Sequence, residues 1–311
     1  LHLSIRRQRQ MCIRDRLDTS TFGKPRKGTQ LSNNPTVVAR NLKKSYYLNR
    51  SGSEHVLSKK LSKHTVEAVK GVSFVAYSGE SIGILGKNGS GKSTLLRMIA
   101  GSSKPDSGDV FVSSQPTLLG VGAALQSNLS GRQNINLGLL AMGLTPAESS
   151  KLVDPIIDWA DLRSAIDRPL KTYSSGMKSR LTFAISTAVR RELLLIDEAL
   201  STGDSTFKAK AKDRMDEFLA GSGTVFLVSH GAATIQTHCT RAIWLHEGDM
   251  IADGDAETVT TTYRVWGNRV STGKLEEADR IIKRQRKAFK PHKILLDSEA
   301  AKFLTHSSSP Q

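Results

Sequence analysis

The eight residues GKNGSGKS, numbered 86–93, constrain the fold of this chain more than any other feature. They match the pattern GxxxxGK[ST] in the context that it requires, with the apolar run SIGIL before it and the helical run STLLRMIA after it. In such a loop the glycines let successive backbone N–H groups turn inward around a phosphate, and the helix N-terminus adds its positive dipole end. The sequence therefore predicts a phosphate-binding loop between a buried strand and a helix.

Each position of this loop is a candidate for contact with a nucleotide. Lys92 is expected to reach the β- and γ-phosphates, and the Ser93 hydroxyl is expected to hold Mg²⁺. A glycine-rich turn with only a structural role is the weaker interpretation, because the sequence patterns for the preceding strand and the following helix are both present. The nucleotide-binding candidates are Gly86, Lys87, Asn88, Gly89, Ser90, Gly91, Lys92, Ser93 and Thr94.

Two later apolar runs end in polar residues suited to phosphoryl chemistry. Asp197 and Glu198 follow the run LLLI, and we expect Asp197 to hold the Mg²⁺ shell and Glu198 to polarise the attacking water. His230 closes the run TVFLVSH and could reach a γ-phosphate. Surface acids and a lone histidine are commonplace by themselves, and the preceding phosphate-binding loop is what favours the catalytic interpretation.

Short apolar runs alternate with turn residues from Val37 onward, and this pattern predicts the fold class. Helical spacing over residues 130–190 separates the early strands from the later ones, and RAIWLHEGDMIADG predicts a hairpin that turns at Glu247-Gly248. The pattern indicates an α/β core with an inserted helical piece. The runs that predict strands are TVVARNL, VEAVKGVSFVAYSG, ESIGILG, LLLID and TVFLVSH.

The positive charge of the chain lies at its ends. Residues 1–70 carry 16 basic and 4 acidic side chains, residues 271–311 carry 9 and 5, and residues 71–270 carry 20 of each. Basic ends favour contact with phosphate-rich surfaces, either nucleic acid or anionic lipid, and solvated disordered tails are an equal alternative. A basic insertion at residues 43–63, in which VLSKKLSK predicts a short helix, is expected either along a membrane surface or as a solvated loop. Its lysines are Lys43, Lys44, Lys59, Lys60 and Lys63.

Other sequence features indicate the cellular compartment and which residues are expected to be ordered. The stretch SIRRQRQMCIRDR resembles translated sequencing-adapter text, so residues 1–16 are left out of the fold prediction, and the polar residues 17–35 are interpreted as disordered. Cys12 and Cys239 form no disulfide or metal pattern, which fits a reducing cytoplasm. No run approaches the roughly 18 apolar residues of a membrane helix, so any membrane association is expected to be peripheral.

The stretch TYSSGMKSRL at residues 172–181 points to a family. Together with the phosphate-binding loop and the later acidic pair, it resembles the ABC-type ATPases, whose signature is usually LSGGQ-like. The resemblance implies that Ser174, Ser175, Gly176 and Met177 bind the γ-phosphate of an ATP held by another subunit, so that each site of a homodimer is built from two chains.

The resemblance also implies an architecture and further site residues. The fold class is an α/β ABC-type P-loop NTPase with a RecA-like core, an antiparallel β subdomain and an inserted α-helical subdomain at about 123–185. The ATPase domain is expected at residues 36–265, after a disordered or foreign segment at 1–35 and before a basic C-terminal extension at 266–311. Asp204 is implied at the dimer interface, and Tyr46 or the adjacent Tyr47 at the adenine.

Three departures from the family pattern affect these expectations. In the family, a Gln that binds Mg²⁺ usually occupies the place that corresponds to Gly120-Val121-Gly122, where this chain has no Gln. Gln126 lies a few residues further along the chain and is not assigned this role. Ser175 and Met177 replace the signature Gly and Gln. About 40 residues follow Ser271, too few for the carbohydrate-binding β-sandwich that some O-antigen exporters carry.

Within the family, residues 37–265 most resemble the ATPases of polysaccharide exporters, especially those for teichoic acid. TYSSGMKSRLTFAIS, IDEALSTGD, LSGRQNI, GVGAALQSNL and AMGLTPAE carry this resemblance. It implies Mg²⁺-dependent ATP hydrolysis at the cytoplasmic face of the membrane, driving a lipid-linked polysaccharide through a separate membrane-spanning permease.

Alternative functions remain open at this stage. An O-antigen, galactan or capsule exporter would have the same motifs. A soluble ABC ATPase acting on nucleic acid or ribosomes is disfavoured, because such factors place two ATPase units in one chain and a single loop and signature occur here. A nucleotide-gated scaffold without activity is disfavoured by the presence of Glu198 and His230.

Overall fold

The computed structural model of the chain describes residues 34–48, 64–119, 125–189, 191–197, 205–220, 223–229, 231–291 and 294. The strands in this part are β1 (Pro35–Leu48), β2 (His64–Tyr77), β3 (Ser81–Leu85), β4 (Ser107–Val112), β5 (Thr117–Leu119), β6 (Leu193–Ile196), β7 (Thr224–Val228), β8 (Arg241–His246) and β9 (Asp249–Asp255). The α-helices are α1 (Lys92–Ile99), α2 (Gly131–Ala141), α3 (Pro146–Ala160), α4 (Ser175–Ser186), α5 (Ser205–Ala220), α6 (Ala232–His238), α7 (Ala256–Ser271) and α8 (Leu275–Ala288).

A six-stranded sheet with the order β5-β6-β7-β3-β8-β9 forms the centre of the fold. Its strands pair in parallel except for β9, which is antiparallel to β8. Every residue of β3, β6 and β7 is buried, and burial on both faces explains why these strands are continuous apolar runs in the sequence. The parallel strands bring their carboxyl ends, and the loops that follow them, to one edge of the sheet.

A separate antiparallel sheet with the order β2-β1-β4 packs on the central sheet. One hydrophobic cluster joins both sheets to the buried face of α1, and within it the ring centroids of Phe74 and Phe226 lie 5.8 Å apart. Burying side chains of this size contributes about 1.5–3 kcal/mol each. The cluster therefore fixes the antiparallel sheet against the strand and helix that flank the predicted phosphate-binding loop.

Helices α2, α3 and α4 share a second hydrophobic cluster. Capping boxes define where two of them begin, formed by Ser130 with Gln133 for α2 and by Thr145 with Glu148 for α3. This arrangement confirms the predicted α/β core with an antiparallel sheet and an inserted helical piece.

The insertion between the first two strands is shorter than predicted. β1 continues to Leu48 and β2 begins at His64, so the first residues of the segment 43–63 are strand rather than loop. Pairs such as Tyr46 with Val66 extend the ladder here. The strand also begins at Pro35, inside the segment interpreted as disordered, since proline is tolerated as the first residue of a strand. The predicted helix VLSKKLSK and residues 1–33 lie outside the described residues.

The basic segment after residue 271 is folded as far as α8, so the interpretation as a disordered tail is wrong for this part. A narrow apolar stripe on α8, with Ala278 and Ile282, packs beside Trp266 of α7 against the central sheet. Charged residues cover the other faces of α8, which is why composition alone hid the stripe. Within the described ranges, no helix combines the length and the apolarity needed to span a membrane.

Candidate nucleotide-binding site

The predicted phosphate-binding loop follows the central strand β3 and leads into α1. Gly86 and Gly91 have φ values of 153° and 99°. A Cβ atom at Gly91 would lie 2.1 Å from the carbonyl oxygen of Ala68, and one at Gly86 would lie 2.4 Å from that of Leu245. Only glycine fits this close approach of the loop to β2 and β8.

Lys92 lies inside the loop, and 5% of its surface is exposed. Its ammonium donates to the carbonyl oxygens of Gly86 at 2.7 Å and Lys87 at 3.0 Å. The Lys87 carbonyl also accepts the Ser90 N–H at 3.1 Å. The loop therefore places a buried cation at the N-terminus of α1, where an anion is favoured by both the charge and the helix dipole.

The turn between β8 and β9 supports the loop, a role that the sequence analysis missed. The hairpin turns at Glu247 and Gly248 as predicted, with φ values of 52° and 87°. The Gly248 N–H donates to the Ser90 carbonyl at 3.2 Å, and the Gly248 carbonyl accepts the Lys70 N–H at 2.9 Å. The turn thus connects the loop to β2 of the antiparallel sheet. Hairpin signals in a sequence are local and do not indicate which distant segment a turn will contact.

Asp197 lies at the same sheet edge as the loop. It follows β6, and the register aligns Ile196 with Leu227 of β7 and Leu227 with Gly83 of β3. Asp197 is half-buried. The predicted catalytic residues Glu198 and His230, and the predicted interface residue Asp204, lie outside the described residues.

The predicted signature begins α4. Ser174 caps this helix, and its hydroxyl accepts the Met177 N–H at 3.2 Å. Ser174 and Ser175 are exposed, and the first N–H groups of a helix have no acceptor within it, so this end can donate to an anion. Just before it, the Tyr173 hydroxyl donates to the Ala165 carbonyl at 2.8 Å, and burial raises the pKa of Tyr173.

The two candidate adenine contacts are neighbours on β1. Tyr46 is 39% exposed and Tyr47 is 71% exposed. Tyr46 pairs with Val66, which is also exposed and comes two residues before Ala68, whose carbonyl abuts the loop at Gly91. Tyr46 and Val66 therefore form an apolar surface two residues along the strand from the loop contact.

The residues present fit ATP with Mg²⁺. The loop keeps its shape only because Gly86 and Gly91 have no side chains, and Lys92 supplies a cation within it. Ser93 and Asp197 are half-buried oxygen donors, the ligand type that Mg²⁺ prefers. Gln126 uses its backbone N–H to donate to the Asn134 side chain at 2.7 Å. The place near residues 120–122 where the family's Gln is expected lies outside the described part.

Comparisons with known proteins assign the chain to a family. The family model described as ABC transporter matches residues 69–201. The teichoic acids export ATP-binding protein TagH of Staphylococcus epidermidis is 37% identical over 234 residues, which cover 74% of this chain and 89% of that protein. The chain belongs to the ABC transporter family.

The other similar proteins either are longer than the matched region or share less sequence identity with this chain. TagH of Bacillus anthracis is 39% identical over 235 residues, and the chain spans 43% of its length. For TagH of Bacillus cereus and of Enterococcus faecalis the spans are 40% and 46%. A dimeric ATP-binding cassette in a post-hydrolysis state with ADP and phosphate is similar in fold, with a TM-score of 0.57 and 21% identity over 71% of this chain and 98% of that one. An ATP-binding subunit of an ABC transporter gives a TM-score of 0.58 at 21% identity, covering 80% and 99%.

Proposed function

We propose that this chain is the ATP-hydrolysing subunit of an ABC exporter that moves a lipid-linked polysaccharide of the cell envelope, with teichoic acid as the first candidate. The observation that carries the proposal is the likeness to TagH proteins over nearly the whole length of the Staphylococcus epidermidis relative. The glycine loop around Lys92 supports the nucleotide part of the proposal independently of that likeness.

The residues divide the chemistry between them. Loop N–H groups and Lys92 hold the β- and γ-phosphates, and Lys92 exchanges its two carbonyl acceptors for phosphate oxygens. Ser93 and Asp197 would hold Mg²⁺, which would neutralise charge on those phosphates. Glu198 takes a proton from the attacking water, and His230 donates to the γ-phosphate.

Each site is completed by a second copy of the chain. Ser174 to Met177 of one copy face the γ-phosphate held by the other, with Asp204 at the interface, so nucleotide binding closes the dimer and hydrolysis reopens it. Tyr46 supplies the adenine contact. The proposed ATPase domain is residues 36–265, with the helical subdomain at about 123–185.

The substrate and membrane contacts are part of the same proposal. A separate membrane-spanning permease carries the polysaccharide, and the ATPase docks on it peripherally at the cytoplasmic face. The lysines of segment 43–63 face anionic lipid or the permease, except Lys44, whose ammonium is bonded to Asp106 at 2.8 Å.

Substitution of the proposed water-activating residue tests the reaction. Glu198→Gln keeps the phosphate contacts of Lys92 and removes the carboxylate, so ATP should still bind while turnover falls about 100-fold or more. ATPase assays with and without Mg²⁺, combined with direct ATP binding, make the measurement, and Lys92→Ala is the control that should lose binding. Wild-type turnover in Glu198→Gln would remove that residue from the mechanism.

A further inference from the structure

The helix pair α7–α8 reaches the phosphate-binding loop through Trp266. This side chain is 3% exposed, and its ring packs on Trp244 of β8 and on Tyr263 of α7 with centroids 5.3 Å away in each case. A hydrogen-bonded ion pair between Arg286 of α8 and Asp249 of β9, at 2.9 Å, holds the second helix to the same sheet. The indole is therefore fixed in place from both the sheet and its own helix.

The face of this indole meets a residue of the loop. The Lys87 ammonium lies 4.9 Å from the Trp266 ring centroid, and the His246 ring stands edge-on at 5.5 Å. Indole is the strongest of the aromatic partners for a cation, because its ring face carries the most negative potential. The Lys87 side chain is thus held against α7.

The main chain of Lys87 is hydrogen-bonded to two other residues of the loop. Its carbonyl oxygen accepts both the Ser90 N–H at 3.1 Å and the Lys92 ammonium at 3.0 Å. Any movement of Lys87 therefore moves the group that orients Lys92 and shapes the turn toward Ser90. Contact of the Lys87 side chain with Trp266 limits that movement.

We propose that Trp266 is a positioning residue of the nucleotide site, which acts by holding Lys87 so that the loop keeps its phosphate-accepting shape before ATP arrives. The helix pair α7–α8 is then a working part of the ATPase rather than an appendage. This inference rests on the proposed function, since it takes ATP as the ligand. Prior ordering of a loop raises affinity because less freedom is lost on binding.

Affinity measurements on the intact chain test the role of Trp266. Trp266→Leu keeps an apolar side chain without the aromatic face, and Lys87→Met removes the cation. Each should raise the Kd for the analogue AMP-PNP with Mg²⁺ about two- to fivefold, the size expected for a partly exposed cation–π contact. Isothermal titration calorimetry gives the Kd, and steady-state assays should show a larger change in KM than in kcat.

Three further variants separate positioning from general packing. The double variant Trp266→Leu/Lys87→Met should bind no more weakly than Lys87→Met alone, because Trp266 acts only through Lys87. Trp266→Phe, which retains an aromatic face, should recover part of the affinity. Val259→Ala loosens the packing of α7 seven residues before Trp266 and should keep the parent Kd.

The outcomes are distinct from those of the proposed function. Parent-like Kd values in both Trp266→Leu and Lys87→Met would overturn the inference, and so would equal weakening by Val259→Ala. Lys87 is exposed, so Lys87→Met tests the contact even if Trp266→Leu unfolds. A parent chain that binds no AMP-PNP would instead contradict the proposed ATPase function.

Discussion

His246 is a half-buried histidine beside the turn that supports the loop, and its ionisation links pH to stability. Burial lowers the pKa of His246 below the ordinary value of 6.5, and Arg286 and Lys87 lower it further against the attraction of Glu247 and Asp249. The unfolded chain therefore binds this proton more readily than the folded chain does. The stability contributed by neutral His246 is present above pH 6.5 and is lost as the pH falls from 6.5 through the lowered pKa.

Replacing this histidine should flatten the pH dependence of stability. His246→Gln and His246→Phe both remove the titrating group, so the free energy of unfolding should fall less between pH 7.5 and pH 5 than in the parent chain. Urea unfolding at several pH values measures the difference. If both variants lose stability over this interval as steeply as the parent, the fall arises from other groups.

At the scale of elements, a buried ion cluster joins both sheets. The Arg241 guanidinium at the start of β8 contacts the Asp253 carboxylate with two bonds of 2.7 Å and Glu80 at 3.1 Å. It also donates to the Val75 carbonyl of β2 at 2.8 Å. Burial alone would lower the pKa of Arg241, but Asp253 and Glu80 together raise it, so the guanidinium stays charged.

Removing the cation of this cluster should be costly. Arg241→Met leaves two buried carboxylates without their partner, and we expect a loss of about 3–5 kcal/mol in the free energy of unfolding. The matched control is Arg269→Met, which breaks the partly exposed pair with Glu277 and should cost about 1 kcal/mol or less. Chemical denaturation compares the two variants. Equal losses would mean that burial does not govern the strength of these pairs.

At the scale of the whole molecule, the proposed site predicts complementation between inactive chains. A mixed dimer of Lys92→Ala with Ser174→Arg/Gly176→Asp has both defects at one interface and none at the other, because each site takes its loop and its signature from different chains. With random pairing, up to about a quarter of wild-type ATPase activity should return. Each variant alone should be nearly inactive. Failure to recover activity, once mixed dimers are demonstrated, would contradict a site shared by two chains.

Local patterns were enough to predict much of this molecule. The loop, its flanking strand and helix, and the Glu247–Gly248 turn are each encoded in a few consecutive residues, and the structure has them where they were expected. The contacts of Gly248 with Ser90 and of Trp266 with Lys87 could not be predicted, since they join segments more than 150 residues apart. The basic composition after residue 271 likewise gave no sign that α8 would be folded. A few apolar positions decide whether a charged helix packs on a sheet, and composition does not show where they lie.

The two hydrogen bonds of Gly248 have a consequence for isotope exchange. A hydrogen-bonded amide proton is replaced by deuterium when its hydrogen bond opens, so each amide reports on the contact between the two segments that the bond joins. The Gly248 proton reports on separation of the turn from the loop, and the Lys70 proton reports on separation of the turn from β2. Deuterium uptake at these two positions therefore distinguishes whether a nucleotide tightens the loop alone or draws the two sheets together.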